Sequence, residues 1–260
     1  MVMPSAVALI PARQGSKRVP GKNVRRLNGH PTLAYTIAPA LESGVFESVI
    51  VSTDSEEIAE IARHYGADVP FLRPAPFASD TSPDIEWLDY TLRALGERDR
   101  RWDAFSLLRP TSPFRTAETI RRAWTLFTGQ TGVDSLRAIE KCTQHPGKMW
   151  VIRGDRMYPV LPFTSRVGST SAAADVPWHS TPYQALPAVY VQNASLEIAW
   201  TRVVLEQSSI AGDVLVPFVT EGYEGFDIND PTDWMVAERL IADGAVALPP
   251  VAASPYGATV

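Results

Sequence analysis

The segment PARQGSKRVPGKN (residues 11–23) sets Arg13, Lys17 and Lys22 among Gly15 and Gly21, with Ser16 and Asn23 as hydrogen-bond donors. Glycines let backbone amides approach an anion closely, and the cations neutralise it. Such a loop suits a triphosphate. It is not a Walker A loop, because Asn23 rather than Ser or Thr follows Gly21-Lys22. Late in the chain stands FDINDPTD (residues 226–233). Asp227 and Asn229 lie two apart in an extended stretch and point to one side. A carboxylate and an amide oxygen suit Mg²⁺, which also takes phosphate oxygens and water. Asp230 and Asp233 read instead as helix-start residues. A phosphate loop with a late metal pair implies nucleotidyl transfer. Arg13 and Lys22 would stabilise departing pyrophosphate, and the metal at Asp227 would neutralise the α-phosphate.

Two further segments supply candidate ligand contacts. Arg73 precedes SDTSPD (residues 79–84), which contains Ser82 and Asp84. Arg73 suits a base carbonyl or a phosphate, and Asp80 or Asp84 would accept from an exocyclic amine. The plainer reading of SDTSPD is a polar turn with a helix cap. In RPTSPFR (residues 109–115), the hydroxyls of Thr111 and Ser112 lie between two arginines, Arg109 and Arg115. No Ser–His–Asp pattern competes, and the His residues lack metal-ligand spacing.

These segments need elements to hold them. AVALIPA and SVIVST are short apolar runs read as buried strands, and AFSLLRP is a third. VPFLRP is a further strand candidate. Amphipathic helices alternate with them, marked by Ile58, Ile61, Ala62 and Tyr65, then by Leu88, Leu92 and Leu95, then by Ile120, Ala123, Trp124 and Phe127. Strands alternating with helices imply a mostly parallel sheet covered on both faces, with ligands at the carboxyl ends of its strands. The rhythm breaks after residue 142. Residues 143–187 are rich in Pro, Gly and Ser and read as an inserted arm. Residues 1–142 with 188–244 form the expected core, and residues 245–260 an Ala-, Val- and Pro-rich tail expected to fray. AVYVQNASLEIAW restores strand character, and Asp230 with Pro231 opens a last helix.

The chain has 260 residues and a formal net charge of −5. That balance excludes a general nucleic-acid binder. Its cations nevertheless concentrate early. Residues 1–41 contain no Asp or Glu but hold Arg13, Lys17, Arg18, Lys22, Arg25 and Arg26, an anion-binding distribution. The single Cys142 excludes an internal disulfide and permits a cytoplasmic setting. No stretch reaches the roughly 20 apolar residues of a membrane span, and no signal peptide is expected.

The motifs together resemble the acylneuraminate (CMP-sialic acid) cytidylyltransferase family. The matching segments are IPARQGSKRVPGKN, VIVSTDSEEIAEIARHYGADVPFLRP, ASDTS, LLRPTSPFR, HPGK, QALPAVYVQNAS and FDINDPTD, in family order across residues 6–240. The resemblance implies a three-layer α/β sandwich with a Rossmann-like sheet of the nucleotide-diphospho-sugar transferase type. It implies a small dimerisation arm, a homodimer, CTP as substrate and Mg²⁺ as cofactor. Arg13, Gly15, Ser16, Lys17, Lys22, Asn23, Arg73, Ser82 and Asp84 would meet the nucleotide. Arg109, Thr111, Ser112, Lys148, Gln192, Asn193 and the arm's Arg166 would meet the acceptor, and Asp227 with Asn229 the metal. Exposed aromatics in the arm, including Trp150, Tyr158 and Phe163, fit a partner surface.

The sequence departs from the family pattern at Arg109, where Gln is usual, at Asn229, where Asp is usual, and at Asp84, where a small hydroxyl is usual. NASLEI also replaces NGAIYI. Arg109 would therefore pair either with an extra anion on the acceptor or with Asp84. The function expected is attack of the anomeric hydroxyl of an acidic 2-keto sugar on the α-phosphate of CTP. The alternatives keep the fold with another acceptor, Kdo or a phosphonate, or with GTP. A glycosyltransferase or a non-catalytic nucleotide binder stands further off.

Overall fold

The computed structural model describes residues 3–15, 19–168 and 174–257. Its strands, in chain order, are β1 (Ala6–Pro11), β2 (Arg26–Leu27), β3 (His30–Pro31), β4 (Ser48–Ser52), β5 (Ala104–Leu107), β6 (Ser135–Lys141), β7 (Trp150–Arg153), β8 (Arg156–Pro159), β9 (Thr164–Val167), β10 (Ala174–Pro177), β11 (Tyr190–Trp200) and β12 (Leu215–Val219). The helices are α1 (Ala34–Glu42), α2 (Glu56–His64), α3 (Asp84–Gly96), α4 (Ala117–Thr128), α5 (Thr201–Leu205) and α6 (Pro231–Ala242).

Six strands form the central sheet in the order β12-β6-β11-β5-β1-β4. β1 pairs in parallel with β4 and with β5, and β11 runs antiparallel to β5. The alternation within β1 explains the layering. Ala6, Ala8 and Ile10 pack on one face with α1, α2 and α4 residues such as Ile37, Ile61 and Phe127. Val7 and Leu9 pack on the other with Trp87, Leu88 and Leu95 of α3. Both faces of β1 are covered, so it is apolar throughout. The result is the expected mostly parallel α/β sandwich.

Local signals end the elements where physical chemistry places them. The Ser55 side chain accepts from Ile58 N and caps α2. Asp230 accepts from Thr232 N and Asp233 N at the start of α6, with Pro231 in its first turn. VPFLRP does not form a strand. Only an isolated bridge, Ile50 with Asp68, precedes it. Pro70 and Pro74 remove backbone donors and fix φ, which opposes ladder pairing. The tail does not fray through residue 257. Val251 and Tyr256 pack on the core, Arg26 Nη2 donates to Tyr256 O at 2.6 Å, and Tyr256 N donates to Tyr65 Oη at 3.1 Å.

Residues 1–138 with 193–260 form one compact unit, and residues 139–192 a second. Within the second, β7 and β8 make an antiparallel hairpin, and β9 pairs with β10. The HPGK segment is held tightly there. His145 Nδ1 accepts from Gly147 N at 3.0 Å, and a Cβ on Gly147 would come within 2.9 Å of both His145 and Trp178. No helix among the described residues is long and apolar enough to cross a membrane.

Candidate active site

A cavity of about 780 Å³ opens beyond the carboxyl ends of β1 and β5. The loop after β1 supplies Arg13, Lys22 and Asn23 to its wall. Gly21 has φ of +64°, a left-handed turn that favours glycine, and both Val24 N and Arg25 N donate to its carbonyl. Asn23 is buried and donates from Nδ2 to Arg13 O at 3.2 Å, so it braces the loop from inside. Gln14 N donates to Asp54 Oδ1 at 2.9 Å, which fastens this loop to the one after β4. Arg13 Nη1 meets Asp80 Oδ1 at 2.5 Å, both about one-third exposed.

Arg73, Phe77, Ser82, Asp84 and Trp87 also line the cavity. Arg73 is buried, donating from Nη2 to Ser52 O at 2.8 Å and from Nε to Ser52 Oγ at 3.0 Å. Its guanidinium lies 4.5 Å from the centre of the Trp87 ring. Burial pulls its pKa down to about 10, which leaves it cationic at neutral pH. Asp84 Oδ1 accepts from Trp87 Nε1 at 2.8 Å, and its Oδ2 accepts from Arg109 Nη2 at 2.7 Å. Burial raises the Asp84 pKa, but Arg109's charge and hydrogen bond, the Trp87 bond and Arg73 together bring it below the ordinary carboxylate value.

Arg109, Pro110, Thr111 and Ala194 line the same cavity as Asp227 and Asn229. Ile228 N donates to Thr111 O at 2.8 Å, so the late acidic segment is pinned to the loop after β5. Asn229 Nδ2 donates to Asp227 Oδ2 at 2.7 Å. Asp227 Oδ1 is buried and has no hydrogen-bond partner among the described residues. A buried, unsatisfied carboxylate oxygen beside a cavity is costly unless a cation answers it. Asp227 therefore fits a metal ligand. Among the described residues no group of three His, Cys, Asp or Glu forms a protein-only metal cage. The donor set thus matches a hard cation that shares its ligands with phosphate and water.

A cytidylyltransferase family model matches residues 7–84. The CMP-N,N'-diacetyllegionaminic acid synthase of Legionella pneumophila is 35% identical over 240 residues, covering 90% of this chain and 95% of that protein. The N-acylneuraminate cytidylyltransferase of Escherichia coli O18:K1:H7 is 32% identical over 231 residues, covering 89% of this chain and 51% of that protein. The chain belongs to the CMP-nonulosonate synthetase family. It is a cytidylyltransferase. A solved CMP-2-keto-3-deoxy-manno-octonic acid synthetase in complex with CTP superposes with a TM-score of 0.64 over 92% of this chain and 99% of that chain, at 14% identity, and so shares the fold.

Within this synthetase the expected site residues separate. Arg13, Lys22, Asn23, Arg73, Ser82, Asp84, Arg109, Thr111, Asp227 and Asn229 line one cavity. Gly15 lies in the same loop, whereas Ser16 and Lys17 fall outside the described residues. Ser112 is fully buried and does not line the cavity. Asn193 donates from Nδ2 to Thr220 Oγ1 at 2.9 Å and accepts from Ser195 N at 3.2 Å, bracing its own strand. Lys148, Arg166 and Gln192 belong to the second unit, where Lys148 Nζ donates to Thr181 O at 2.8 Å. Of the two partners expected for Arg109, the structure supplies Asp84.

The early cations also divide. Arg25 lies 4.0 Å from the centre of the Trp234 ring, and Arg26 holds the tail, so neither serves the cavity wall. Arg115 is fully buried, with Nη2 3.0 Å from Thr36 Oγ1 and Nη1 on Ser195 O. Burial lowers its pKa to about 9. It is a scaffold residue. Sequence reasoning missed Trp87, Glu197 and Arg137, which complete the Arg73 and Arg109 corners. Glu197 within SLEIAW and Arg137 within SLRAIEK stand out as charges in strand-like segments, but neither segment names the partner, and nothing local marks Trp87.

Proposed function

We propose that this synthetase transfers the cytidylyl group of CTP to an acidic 2-keto sugar of the nonulosonate class, releasing pyrophosphate. The carrying observation is that Arg13 and Lys22 share one cavity with Asp227, whose Oδ1 is buried without a hydrogen-bond partner among the described residues. The cations receive the β- and γ-phosphates, and Arg73 beside Trp87 receives the base. Asp227, with Asn229 beside it, would hold Mg²⁺. When bound, the ion polarises the α-phosphoryl group and offsets its negative charge. The sugar's anomeric oxygen forms a bond to the α-phosphorus as the bond from that phosphorus to the bridging oxygen of pyrophosphate breaks. Arg13 and Lys22 hold the departing oxygens, so catalysis rests on position and charge rather than on a covalent enzyme intermediate. The hydroxyl proton leaves to Asp227 or to solvent.

A reaction that consumes CTP fits a cytoplasmic enzyme. A homodimer formed through the second unit is part of this reading, supported by its exposed Trp150, Ile152, Met157 and Phe163. Light scattering at micromolar concentration reads the dimer directly, and a monomer would refute it. The activity test is pyrophosphate release over four nucleoside triphosphates and a panel of 2-keto sugar acids. Turnover confined to CTP with a nonulosonate is expected. Tight CTP binding without turnover on any acceptor would reduce the protein to a nucleotide binder.

A further inference from the structure

Arg109 is held by one group that the cavity displays, Asp84, and by one that it does not, Glu197. Its Nη2 donates to Asp84 Oδ2 at 2.7 Å and to Glu197 Oε1 at 2.9 Å. Glu197, in β11, is 3% exposed. Its second carboxylate oxygen forms an ion pair with Arg137 of β6, and Arg137 Nη2 donates onward to Ile210 O at 2.6 Å. Asp84 and Arg109 line the cavity, whereas Glu197 and Arg137 do not.

The cluster alternates in sign, Arg137–Glu197–Arg109–Asp84, and sums to zero. A buried charge is tolerated only when paired, and each charge here is answered within the protein. Arg109 Nη2 is committed to two carboxylates, while Nη1 and Nε have no protein acceptor among the described residues. Those N–H groups remain for a ligand. Arg109 also stands two residues before Thr111, whose carbonyl accepts from Ile228 N between Asp227 and Asn229. Arg109 lines the same cavity as Thr111, Asp227 and Asn229, so an acceptor bound there can reach these donors.

We propose that Glu197 and Arg137 are positioning residues that fix Arg109 as a charge-compensated hydrogen-bond donor to the acceptor sugar, so that this corner selects an uncharged oxygen, an acyl carbonyl or hydroxyl, over a second anion. The inference rests on the cytidylyl-transfer reading above. It makes Arg109 a reader of neutral polar groups despite its formal charge.

A charge cycle tests it. The full-length protein is compared with Glu197→Gln, Arg137→Met and the double variant Glu197→Gln/Arg137→Met. For each, kcat and KM are measured with CTP and two acceptors, one carrying a neutral acylamino group and one an added carboxylate or phosphonate at the same position. Glu197→Gln leaves the cluster at +1 and should raise the relative kcat/KM for the anionic acceptor about five- to tenfold, close to 1.4 kcal/mol at the upper end. Arg137→Met leaves it at −1 and should move that ratio the opposite way. The double variant returns to zero and should recover the wild-type ratio, although its melting temperature falls. The KM for CTP should move less than the KM for the acceptor. A ratio that tracks the melting temperature, or does not respond to cluster charge, would overturn the inference while leaving cytidylyl transfer intact. Absence of wild-type turnover on every acceptor would overturn the reading beneath it, and the inference with it.

Discussion

Asp227 and Asn229 are two residues apart, yet their tasks differ. Asp227 Oδ1 is buried with no hydrogen-bond partner among the described residues, while Asn229 donates to the other oxygen. Replacing Asp227 with Ala removes the carboxylate that faces this end of the cavity. We expect kcat to fall about 10²- to 10³-fold, the scale of a lost electrostatic stabiliser of the transition state, and excess chelator to abolish pyrophosphate release from the unmodified enzyme. Asn229→Asp adds a second hard anionic oxygen, and the Mg²⁺ concentration at half-maximal rate should drop by about tenfold. An unchanged metal titration for Asn229→Asp would exclude that side chain from the ion. Asp84 makes a different prediction. Its folded pKa lies below the ordinary 3.8 because Arg109, Trp87 and Arg73 outweigh the cost of burial. A depressed carboxylate pKa stabilises the fold above its unfolded value and loses that contribution as pH falls through its folded value. Asp84→Asn should therefore lower the melting temperature at neutral pH, and the gap from wild type should close below pH 3.8. The Asp84–Arg109 pair should add no inflection to the rate between about pH 5 and 9.

The elements convert those residues into a site, and the sequence shows them unevenly. β1, β4 and β5 are readable because each is a short, continuous apolar run, the pattern of a strand covered on both faces. The start of α6 is readable because Asp230, Pro231 and Asp233 are side chains with one good use in that order. VPFLRP misleads because apolar residues beside proline satisfy a strand pattern without the donors a ladder needs. The cavity loops are legible as chemistry. The partners of Arg109 and Arg73 are not, because Glu197 and Trp87 are placed by sheet register and helix packing, which no local window carries. Ser112 misleads for the same reason: a hydroxyl next to Thr111 reads as a ligand contact, but the turn directs it inward, where it is fully buried. The α6 cap lies next to Asp227 and Asn229, the proposed metal pair, so it tests the coupling of element to site. Asp230→Ala should cost about 1 kcal/mol of stability through the lost cap. Asn229 N and Asp230 N both donate to Asp233 Oδ2, so Asp233→Ala should in addition weaken Mg²⁺ binding by releasing Asn229. Differential scanning calorimetry with a metal titration separates the two effects.

Across the larger unit, the chain after α6 behaves as a clasp. Arg26, three residues beyond Asn23, donates to Tyr256 O at 2.6 Å, so the segment following the loop after β1 is tied to the tail. Tyr65, at the end of α2, accepts from Tyr256 N at 3.1 Å and meets His30 Nδ1 at 3.0 Å. His64 meets Ser254 O at 2.8 Å, and Tyr256 Oη donates to Glu60 at 3.3 Å. One residue, Tyr256, therefore bridges α2 and the hairpin of β2 and β3. That hairpin leads into α1, and Leu33 N at its entry donates to Asn23 O at 3.0 Å, back in the loop after β1. Removing residues 249–257 exposes the apolar surface beneath Val251 and Tyr256 and releases Arg26. A loss of roughly 2–4 kcal/mol is the ordinary scale for emptying two such packed positions. The consequence for function is specific. The loop after β1, proposed to hold CTP, loses its brace while Asp227 and Arg109, on other elements, keep theirs. We therefore expect the KM for CTP to rise several-fold, with the acceptor KM and the Mg²⁺ requirement little moved. Tyr256→Phe keeps the ring and the backbone bonds and loses only the Glu60 contact, so its KM for CTP should stay near wild type. Equal losses in both substrates on truncation would mean that the tail stabilises the whole sheet rather than the nucleotide side.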